Sequence, residues 1–220
     1  MRKEKTHITI ENIRKAHKAR RAEIRERLSE FAAIKATGTD LDLWEEMVFC
    51  FFTGGCSARM GINALAAVRP ILLTGGQDEL ASALTGVHRY PNARARYIVA
   101  SRNFLREHCG LELRKKLQDF DCSFERRDWL VREKGIKGLG YKEASHYLRN
   151  VGFRGYAILD KHVLNCLAEL KIIDDPKPPN TRSRYLMVEE KLKQLTEMTR
   201  IDFDELDLVL WSMKTGVILK

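Results

Sequence analysis

A glycine-rich stretch followed by a lysine is the part of this sequence best suited to chemistry. Gly135, Gly138 and Gly140 lie within six residues, and Lys142 follows at the start of a predicted helix. Glycine permits positive φ and close backbone approach. A glycine turn that opens a helix directs N–H groups and the positive end of the helix dipole at an anion. The glycines alone fit equally well a phosphate site and a plain helix–helix turn with a glycine C-cap.

The stretch does not match the glycine motifs that bind nucleotides. No Gly-Lys-Ser/Thr follows the glycines, as a P-loop requires, and no βαβ unit surrounds them, as a dinucleotide fold requires. Residues 136–140 instead read apolar–x–Gly–apolar–Gly. That is the form of a helix–hairpin–helix, whose hairpin amides hold one phosphate of duplex DNA. We predict this motif at about residues 128–151, with Gly138 and Gly140 at the phosphate.

Asp160 is the second residue of chemical interest. It lies eighteen residues after Lys142, between an apolar run and a new helix. Taken alone, Asp160 is an ordinary N-cap, and Lys142 alone is a surface helix lysine. Hairpin, lysine and aspartate together resemble the helix–hairpin–helix superfamily of DNA glycosylases. In that superfamily a lysine just after the hairpin attacks the sugar, and an aspartate before the next helix assists.

The C-terminal sequence W-S-M-K-T-G-V-I-L-K narrows the resemblance. It is similar to the short 8-oxoguanine DNA glycosylase/AP lyases of archaea and some thermophilic bacteria, which end at a lysine nine residues after a tryptophan. Trp211 and Lys220 stand at those places. In that branch the terminal lysine helps to distinguish 8-oxoguanine from guanine. The iron–sulfur branch of the superfamily is excluded, because it has four C-terminal cysteines and this chain has none after Cys166.

The resemblance implies a bifunctional reaction. Lys142 would attack C1′ as a neutral amine and displace the damaged base, and the resulting Schiff base would allow β-elimination. A lysine at its ordinary pKa of about 10.4 is almost fully protonated at pH 7, so its surroundings must favour the neutral amine. Asp160 would stabilise the positive charge that grows on the sugar.

The resemblance also implies residues that recognise the damaged nucleotide. The target base must leave the duplex, and Trp211 offers a flat face for stacking. Tyr90 is a candidate wedge for the vacated space, with Arg89 a candidate reader of the orphaned cytosine. The following Pro91-Asn92 equally marks an ordinary turn before a helix.

Members of this family bind a monovalent cation through hairpin carbonyls. The matching carbonyls here belong to Lys134, Ile136 and Leu139. Such a cation would be structural, and we expect the chain to require no other cofactor.

Composition sets the wider frame. The 220 residues include 39 Lys+Arg against 30 Asp+Glu, a formal charge of +9, which favours an anionic partner such as duplex DNA. No apolar run approaches the ~20 residues that span a bilayer, and no secretory signal is visible. The five cysteines form no Cys-x-x-Cys pair, so reduced thiols are the simplest interpretation. We expect a cytoplasmic, DNA-associated prokaryotic protein, monomeric and without membrane contact.

The dominant hydrophobic period is helical, so the predicted fold class is all-α. We expect N-caps at Asp40, Ser57 and Asp160. Further helices are predicted at about 92–110, 120–132 and 182–198 and from 202 to Gly216. The family resemblance implies two helical lobes flanking a DNA-binding cleft. One would combine residues 1–55 and 171–220, and the other would hold residues 56–170.

Two other functions remain open at this level. The chain could be a non-catalytic helix–hairpin–helix module that only binds DNA, although binding needs neither Lys142 nor Asp160. It could also be a glycosylase for another base on the same fold, although a monofunctional enzyme would not require Lys142. A strand-nicking assay on an 8-oxoguanine duplex separates the three.

Overall fold

The computed structural model describes residues 7–219, and within that range the chain is entirely helical, without a β-strand. It contains eleven α-helices and a short 3-10 helix at Arg69–Ile71. The α-helices are α1 Ile10–Thr37, α2 Asp40–Thr53, α3 Ala58–Val68, α4 Gln77–Leu84, α5 Pro91–Cys109, α6 Leu113–Gln118, α7 Ser123–Arg132, α8 Tyr141–Asn150, α9 Lys161–Glu169, α10 Arg182–Thr199 and α11 Phe203–Thr215. The all-α prediction is confirmed.

Most helix ends follow from local sequence. Ser57 caps α3 through the Met60 N–H at 3.2 Å, as predicted. The glycine after α5 takes a left-handed conformation that ends the helix. The cap of α2 is a correction: Thr39, not Asp40, accepts the N–H of Asp42. A Thr/Asp capping box satisfies two backbone N–H groups at once.

Asp40 is the first residue of α2, and its carboxylate serves a different helix. Its Oδ1 accepts the Arg114 N–H, at the start of α6, at 2.7 Å. The Arg114 guanidinium donates to the carbonyls of Ile34 and Gly38 near the end of α1. Asp40 therefore bonds to α6 instead of capping its own helix. The sequence predicted a cap because the contact with Arg114 is long-range.

The described residues fall into two compact units. One runs from Ala32 to Phe153, and the other joins the chain up to Phe31 with the chain from Arg154 on. The first unit is built around α2, which is buried on every side and packs on α3 and α8. The predicted lobes, 1–55 with 171–220 and 56–170, have other boundaries than these two units. The division into lobes stays a prediction.

In the unit that contains both chain ends, α11 holds α1. Glu205, in the first turn of α11, is buried and binds both His17 and Arg25 of α1, the latter at 2.8 Å. Arg14 of α1 also donates to the carbonyls of Met198 and Thr199 at the end of α10. The basic N-terminal helix is thus held in this unit by polar contacts, of which those to Glu205 involve a buried carboxylate.

No helix in the described part of the chain is both long and apolar enough to cross a membrane. The five cysteines are free. Burial raises the pKa of Cys166 to about 12 and also raises that of Cys50 well above its ordinary value. Both are therefore neutral thiols.

Candidate active site

The glycine stretch forms a hairpin between two helices that are clasped together. The Tyr141 hydroxyl, at the start of α8, donates to Asp128 of α7 at 2.9 Å. Arg127 of α7 donates to Ser145 of α8 at 3.1 Å. Two polar contacts one turn apart thus fix α7 against α8, and the loop of residues 133–140 must turn tightly between them.

The hairpin lies on one face of α5. Gly138 has φ +79°, and a Cβ atom there would stand 2.6 Å from the Tyr97 ring. A Cβ atom on Gly135 would stand 2.0 Å from the Phe104 ring. Both distances are too short for any side chain. Close contact with α5 therefore requires glycine at both positions, and Gly138 is also required by its positive φ.

The hairpin amides differ in whether they have a hydrogen-bond partner. The Lys137 N–H donates to Ser101 of α5 at 2.9 Å, which anchors the loop. The next N–H groups, those of Gly138, Leu139 and Gly140, donate to no acceptor in the part of the chain that the structure describes. They precede α8, whose positive dipole end adds to their field. The arrangement can hold an anion.

Lys142 follows in the first turn of α8 and is three-quarters buried, with 24% of its side chain exposed. Its Nζ lies 3.7 Å from Oε1 of Glu143, itself mostly buried. The carboxylate of Glu143 also lies beside Gly54, at the end of α2: a Cβ atom there would be 3.7 Å from Oε1. The amine thus lies at the edge of the unit, oriented by a neighbouring charge.

Arg94 adds a second cation to this region. Its Nη2 lies 3.2 Å from the same Gly54 Cβ position and donates to the Gly54 carbonyl. Its guanidinium stacks on Tyr97, 5.4 Å from the ring centroid, and on Tyr90 at 5.7 Å. Arg94 is buried, and its two ring contacts join Tyr97 to Tyr90, which precedes α5.

Tyr90 stands at the N-cap of α5 with 40% of its surface exposed. Arg89 also stacks on its ring, 5.2 Å from the centroid. Arg94 contacts both Tyr90 and Tyr97, and Tyr97 lies against Gly138. Tyr90 is thus connected through Arg94 to the face of α5 that carries the hairpin.

Asp160 belongs to the other unit, where it caps α9. Its Oδ1 accepts the N–H groups of His162 and Val163 at 2.8 and 2.9 Å. Its Oδ2 accepts no hydrogen bond from the described residues. The cap therefore holds the carboxylate in one orientation and leaves one oxygen available, at a helix N-terminus that favours negative charge.

The chain before Asp160 is held in place by α10. The Tyr185 hydroxyl donates to the Ala157 carbonyl at 2.7 Å, and the Ala157 N–H donates to Glu189 at 2.9 Å. The Leu159 N–H donates to the Tyr185 hydroxyl at 3.4 Å. The buried, extended segment before Asp160 is thus fixed by hydrogen bonds between its backbone and side chains of α10.

Trp211 on α11 is half-buried. Its ring meets that of His162 edge-on, with centroids 6.5 Å apart. Since His162 also donates its backbone N–H to Asp160, Trp211 lies near the start of α9. Ile218 is buried while Val217 is exposed. Lys220 lies outside the described residues.

The carbonyls of Lys134, Ile136 and Leu139 accept no hydrogen bond from residues 7–219. Three carbonyl oxygens in one short loop are a hard donor set, which suits an alkali cation. The residues present fit that group.

Sequence reasoning missed four of the residues that shape this region: His88, Arg94, Tyr97 and Glu143. Arg94 and Tyr97 are spaced on α5 as a helix face requires, and this spacing was the available signal. Glu143 follows Lys142 directly. Nothing in the sequence indicated that His88 has two specific partners.

These features define a class before any comparison is made. The described chain is helical, and a glycine hairpin joins two helices that are fixed against each other, with hairpin amides that have no acceptor among the described residues before the second helix. These are the features of a helix–hairpin–helix protein.

Comparison with known proteins identifies the family. A family model described as 8-oxoguanine DNA glycosylase (Ogg-HhH) matches residues 24–201. An 8-oxoguanine DNA glycosylase/AP lyase of Korarchaeum cryptofilum is 40% identical over 202 residues, 90% of each chain. The chain belongs to the 8-oxoguanine DNA glycosylase family.

Solved structures agree. The Methanocaldococcus jannaschii 8-oxoguanine glycosylase/lyase, crystallised with a 15mer DNA containing 8-oxoguanine, matches with TM-score 0.87 and 33% identity, covering 96% of this chain and 99% of that one. The 8-oxoguanine DNA glycosylase of Thermotoga maritima matches with TM-score 0.86 and 35% identity, covering 96% and 98%.

Proposed function

We propose that this protein excises 8-oxoguanine from duplex DNA and then nicks the strand at the resulting site. The single observation that carries the proposal is the placement of Lys142. It is the second residue of the helix that follows a hairpin in which three amides donate to no acceptor among the described residues, and its amine is mostly buried beside a carboxylate. The similarity to glycosylase/lyases of the same family extends over 90–96% of this chain and supports the same reaction.

In the proposed chemistry, the neutral amine of Lys142 attacks C1′ of the damaged nucleotide. The N–C1′ bond forms as the glycosidic bond breaks, and its electron pair leaves with the base, which takes up a proton. The amine then loses a proton and its lone pair forms a C1′=N bond as the C1′–O4′ bond of the sugar breaks. The electron pair of that bond goes to O4′, which takes up a proton, and the product is a ring-opened, protonated Schiff base. This base acidifies C2′, and removal of a C2′ proton expels the 3′ phosphate by β-elimination.

Asp160 is proposed to act through charge. As the glycosidic bond breaks, positive charge develops on the sugar, and a carboxylate nearby stabilises it. The cap of α9 supports this role, because it fixes Oδ1 and leaves Oδ2 available.

Binding of the DNA backbone is assigned to the hairpin. The N–H groups of Gly138 and Gly140 would donate to one phosphate, at a helix N-terminus that favours an anion. A structural monovalent cation would be held by the carbonyls of Lys134, Ile136 and Leu139 and would add positive charge beside that phosphate.

Recognition of the nucleotide is assigned to Tyr90, Arg89 and Trp211. Tyr90 would fill the space left by the extruded base, and Arg89 would contact the cytosine opposite it. Trp211 would stack on the damaged base. We also propose a cytoplasmic location, where the duplex substrate of a prokaryote lies.

Lys220 is proposed to distinguish 8-oxoguanine from guanine, through acceptors at the chain end that face the N7–H of the damaged base. Guanine has no N7–H, so its binding would leave a buried polar group unpaired, at a cost of about 1–3 kcal/mol. Removing Lys220 should therefore reduce 8-oxoguanine excision about tenfold or more while cleavage at abasic sites falls less. Equal losses in the two assays would argue against a recognition role.

Borohydride trapping tests the central proposal. With an 8-oxoguanine duplex, the protein should form a covalent adduct that Lys142→Gln abolishes. Lys115→Gln is the matched control, since this lysine is exposed on α6 of the same unit. An adduct that survives in Lys142→Gln would show that another amine is the nucleophile. A protein that binds the duplex but neither traps nor nicks would be a binding module.

A further inference from the structure

His88 lies in the short connection between α4 and α5, immediately before the Arg89–Tyr90 pair. It is buried, at 5% exposure. Its Nε2 lies 3.0 Å from the carbonyl oxygen of Phe52, near the end of α2. Its Nδ1 lies 3.1 Å from the Tyr90 backbone nitrogen. The imidazole therefore bridges the end of one helix and the N-cap of another.

The two partners determine which nitrogen carries the proton. A carbonyl oxygen can only accept, so Nε2 must donate to Phe52. A backbone N–H can only donate, so Nδ1 must accept from Tyr90. Only the neutral Nε2–H tautomer satisfies both contacts. An imidazolium would place N–H against N–H at Tyr90 and break that contact.

The surroundings of the ring favour this neutral form. From α2 it meets the Phe52 ring, 5.3 Å between centroids, and the Phe52 carbonyl. From α5 it meets the Tyr90 ring and the cation of Arg94. Burial lowers the pKa of His88 from 6.5, and Arg94 lowers it further, against an opposing effect of the Phe52 hydrogen bond.

We propose that His88, as the neutral Nε2–H tautomer, is the positioning residue that holds Tyr90 ready to enter the duplex. The inference rests on the proposed wedge role of Tyr90 and extends it to a residue that touches no DNA. The Tyr90 ring is stacked by Arg89 and Arg94, but those contacts allow sliding, whereas the His88 hydrogen bond fixes the backbone from which the ring projects. Acidification should therefore release the wedge.

The tautomer is measured directly by long-range ¹H–¹⁵N NMR of the histidine rings in the wild-type protein. At pH 7.5, His88 should show a protonated Nε2 and an unprotonated Nδ1. A protonated Nδ1 at that pH would overturn the proposal. This experiment needs neither a variant nor activity, so it stands even if the proposed enzyme function fails.

Base extrusion tests the consequence. In a Lys142→Gln background, where no cleavage follows, 2-aminopurine beside 8-oxoguanine reports unstacking by its fluorescence. The extrusion rate of a protein with His88 intact should fall as the pH is lowered below 6.5, towards a limit about fivefold below its value at pH 7.5, the equivalent of one hydrogen bond of about 1 kcal/mol.

Two substitutions separate the contacts of His88. His88→Asn keeps an acceptor near the Nδ1 position and cannot titrate, so its extrusion rate should not change with pH in this range. His88→Gln keeps the donor to Phe52 but loses the acceptor, and should be about fivefold slow at pH 7.5. His108→Asn, at an exposed histidine of α5, is the control and should behave as wild type.

An identical pH response in His88→Asn and wild type would contradict the proposal, as would normal extrusion by His88→Gln. Thermal melting identifies a variant that does not fold, and the NMR tautomer then decides. If extrusion follows these expectations but borohydride traps no adduct, the proposed chemistry fails while the positioning role stands.

Discussion

At the scale of single residues, the same side chain serves structure and proposed chemistry. Asp160 caps α9 with one oxygen and keeps the other available, so the plain interpretation from sequence, an N-cap, is correct. The proposed catalytic role adds to it. Sequence predicted the cap because caps depend on neighbours in the chain. It could not predict the contact of His162 with Trp211, which joins residues 49 positions apart.

Asp160→Asn separates the two roles. Asparagine is as good an N-cap as aspartate, so the melting temperature should change little. Loss of the negative charge should reduce single-turnover excision of 8-oxoguanine by about 100-fold or more, with duplex affinity retained.

Asp202→Asn is the matched control, because Asp202 caps α11 in the same unit through the N–H of Asp204 at 3.0 Å. It should excise at the wild-type rate. Equal activity of the two variants would remove Asp160 from the mechanism.

At the scale of elements, long helices with clear caps could be predicted and short ones could not. The helix after Asn92 appears within a residue or two of its expected ends. The helices α4 and α6, of eight and six residues, are too short for a hydrophobic period to be visible. The hairpin was predicted from its glycines, but its support was not. Tyr97, Ser101 and Phe104 contact it across a long sequence separation.

Gly138→Ala tests that support against a control of equal backbone strain. Gly138 and Gly86 have φ +79° and +77°, but a Cβ on Gly86 would meet nothing within 4 Å. Gly86→Ala should lower the free energy of unfolding by about 1 kcal/mol, the cost of an alanine at positive φ.

Gly138→Ala should cost about 1–3 kcal/mol more through overpacking against Tyr97, and only this variant should lose duplex affinity. Chemical denaturation and fluorescence anisotropy measure the two effects. Equal losses of stability would show that Tyr97 moves aside without cost.

At the scale of the whole molecule, the net charge of +9 conceals a specific internal arrangement. The sequence of α1 is rich in basic residues, a pattern that fits either a solvated helix face or a phosphate-facing surface. Arg14 and Arg25 of that helix instead bind groups of α10 and α11. Composition predicts an anionic partner, but it cannot say which cations are already engaged.

The Glu205 cluster gives the protein a defined response to acid. Burial alone would raise the pKa of Glu205, but hydrogen bonds and charge from Arg25 and His17 outweigh it and lower the pKa below 4.5. The ionised form therefore contributes stability above the ordinary pKa of the carboxyl group, and this contribution is lost as pH falls through the lower, folded-state value.

Glu205→Gln should reduce the free energy of unfolding at pH 7 by about 2 kcal/mol, as expected for hydrogen bonds to a charged group. The difference from wild type should shrink as pH falls below about 4.5. Glu23→Gln, at an exposed ion pair on α1, should cost less than about 1 kcal/mol. A Glu205→Gln deficit that stays constant with pH would mean that packing, not charge, holds α1.

The face of α5 that carries the hairpin also fixes the distance between two tyrosine side chains. Tyr90 and Tyr97, which contacts Gly138, are seven residues apart on one rigid helix. At 1.5 Å per residue that is about 10 Å, the length of about three stacked base pairs. If the hairpin holds a phosphate and Tyr90 enters the duplex, as proposed above, helix geometry would set the number of nucleotides between these two contacts. Inserting one residue between these tyrosines would turn them to different sides of α5, and their fixed spacing on one face would be lost.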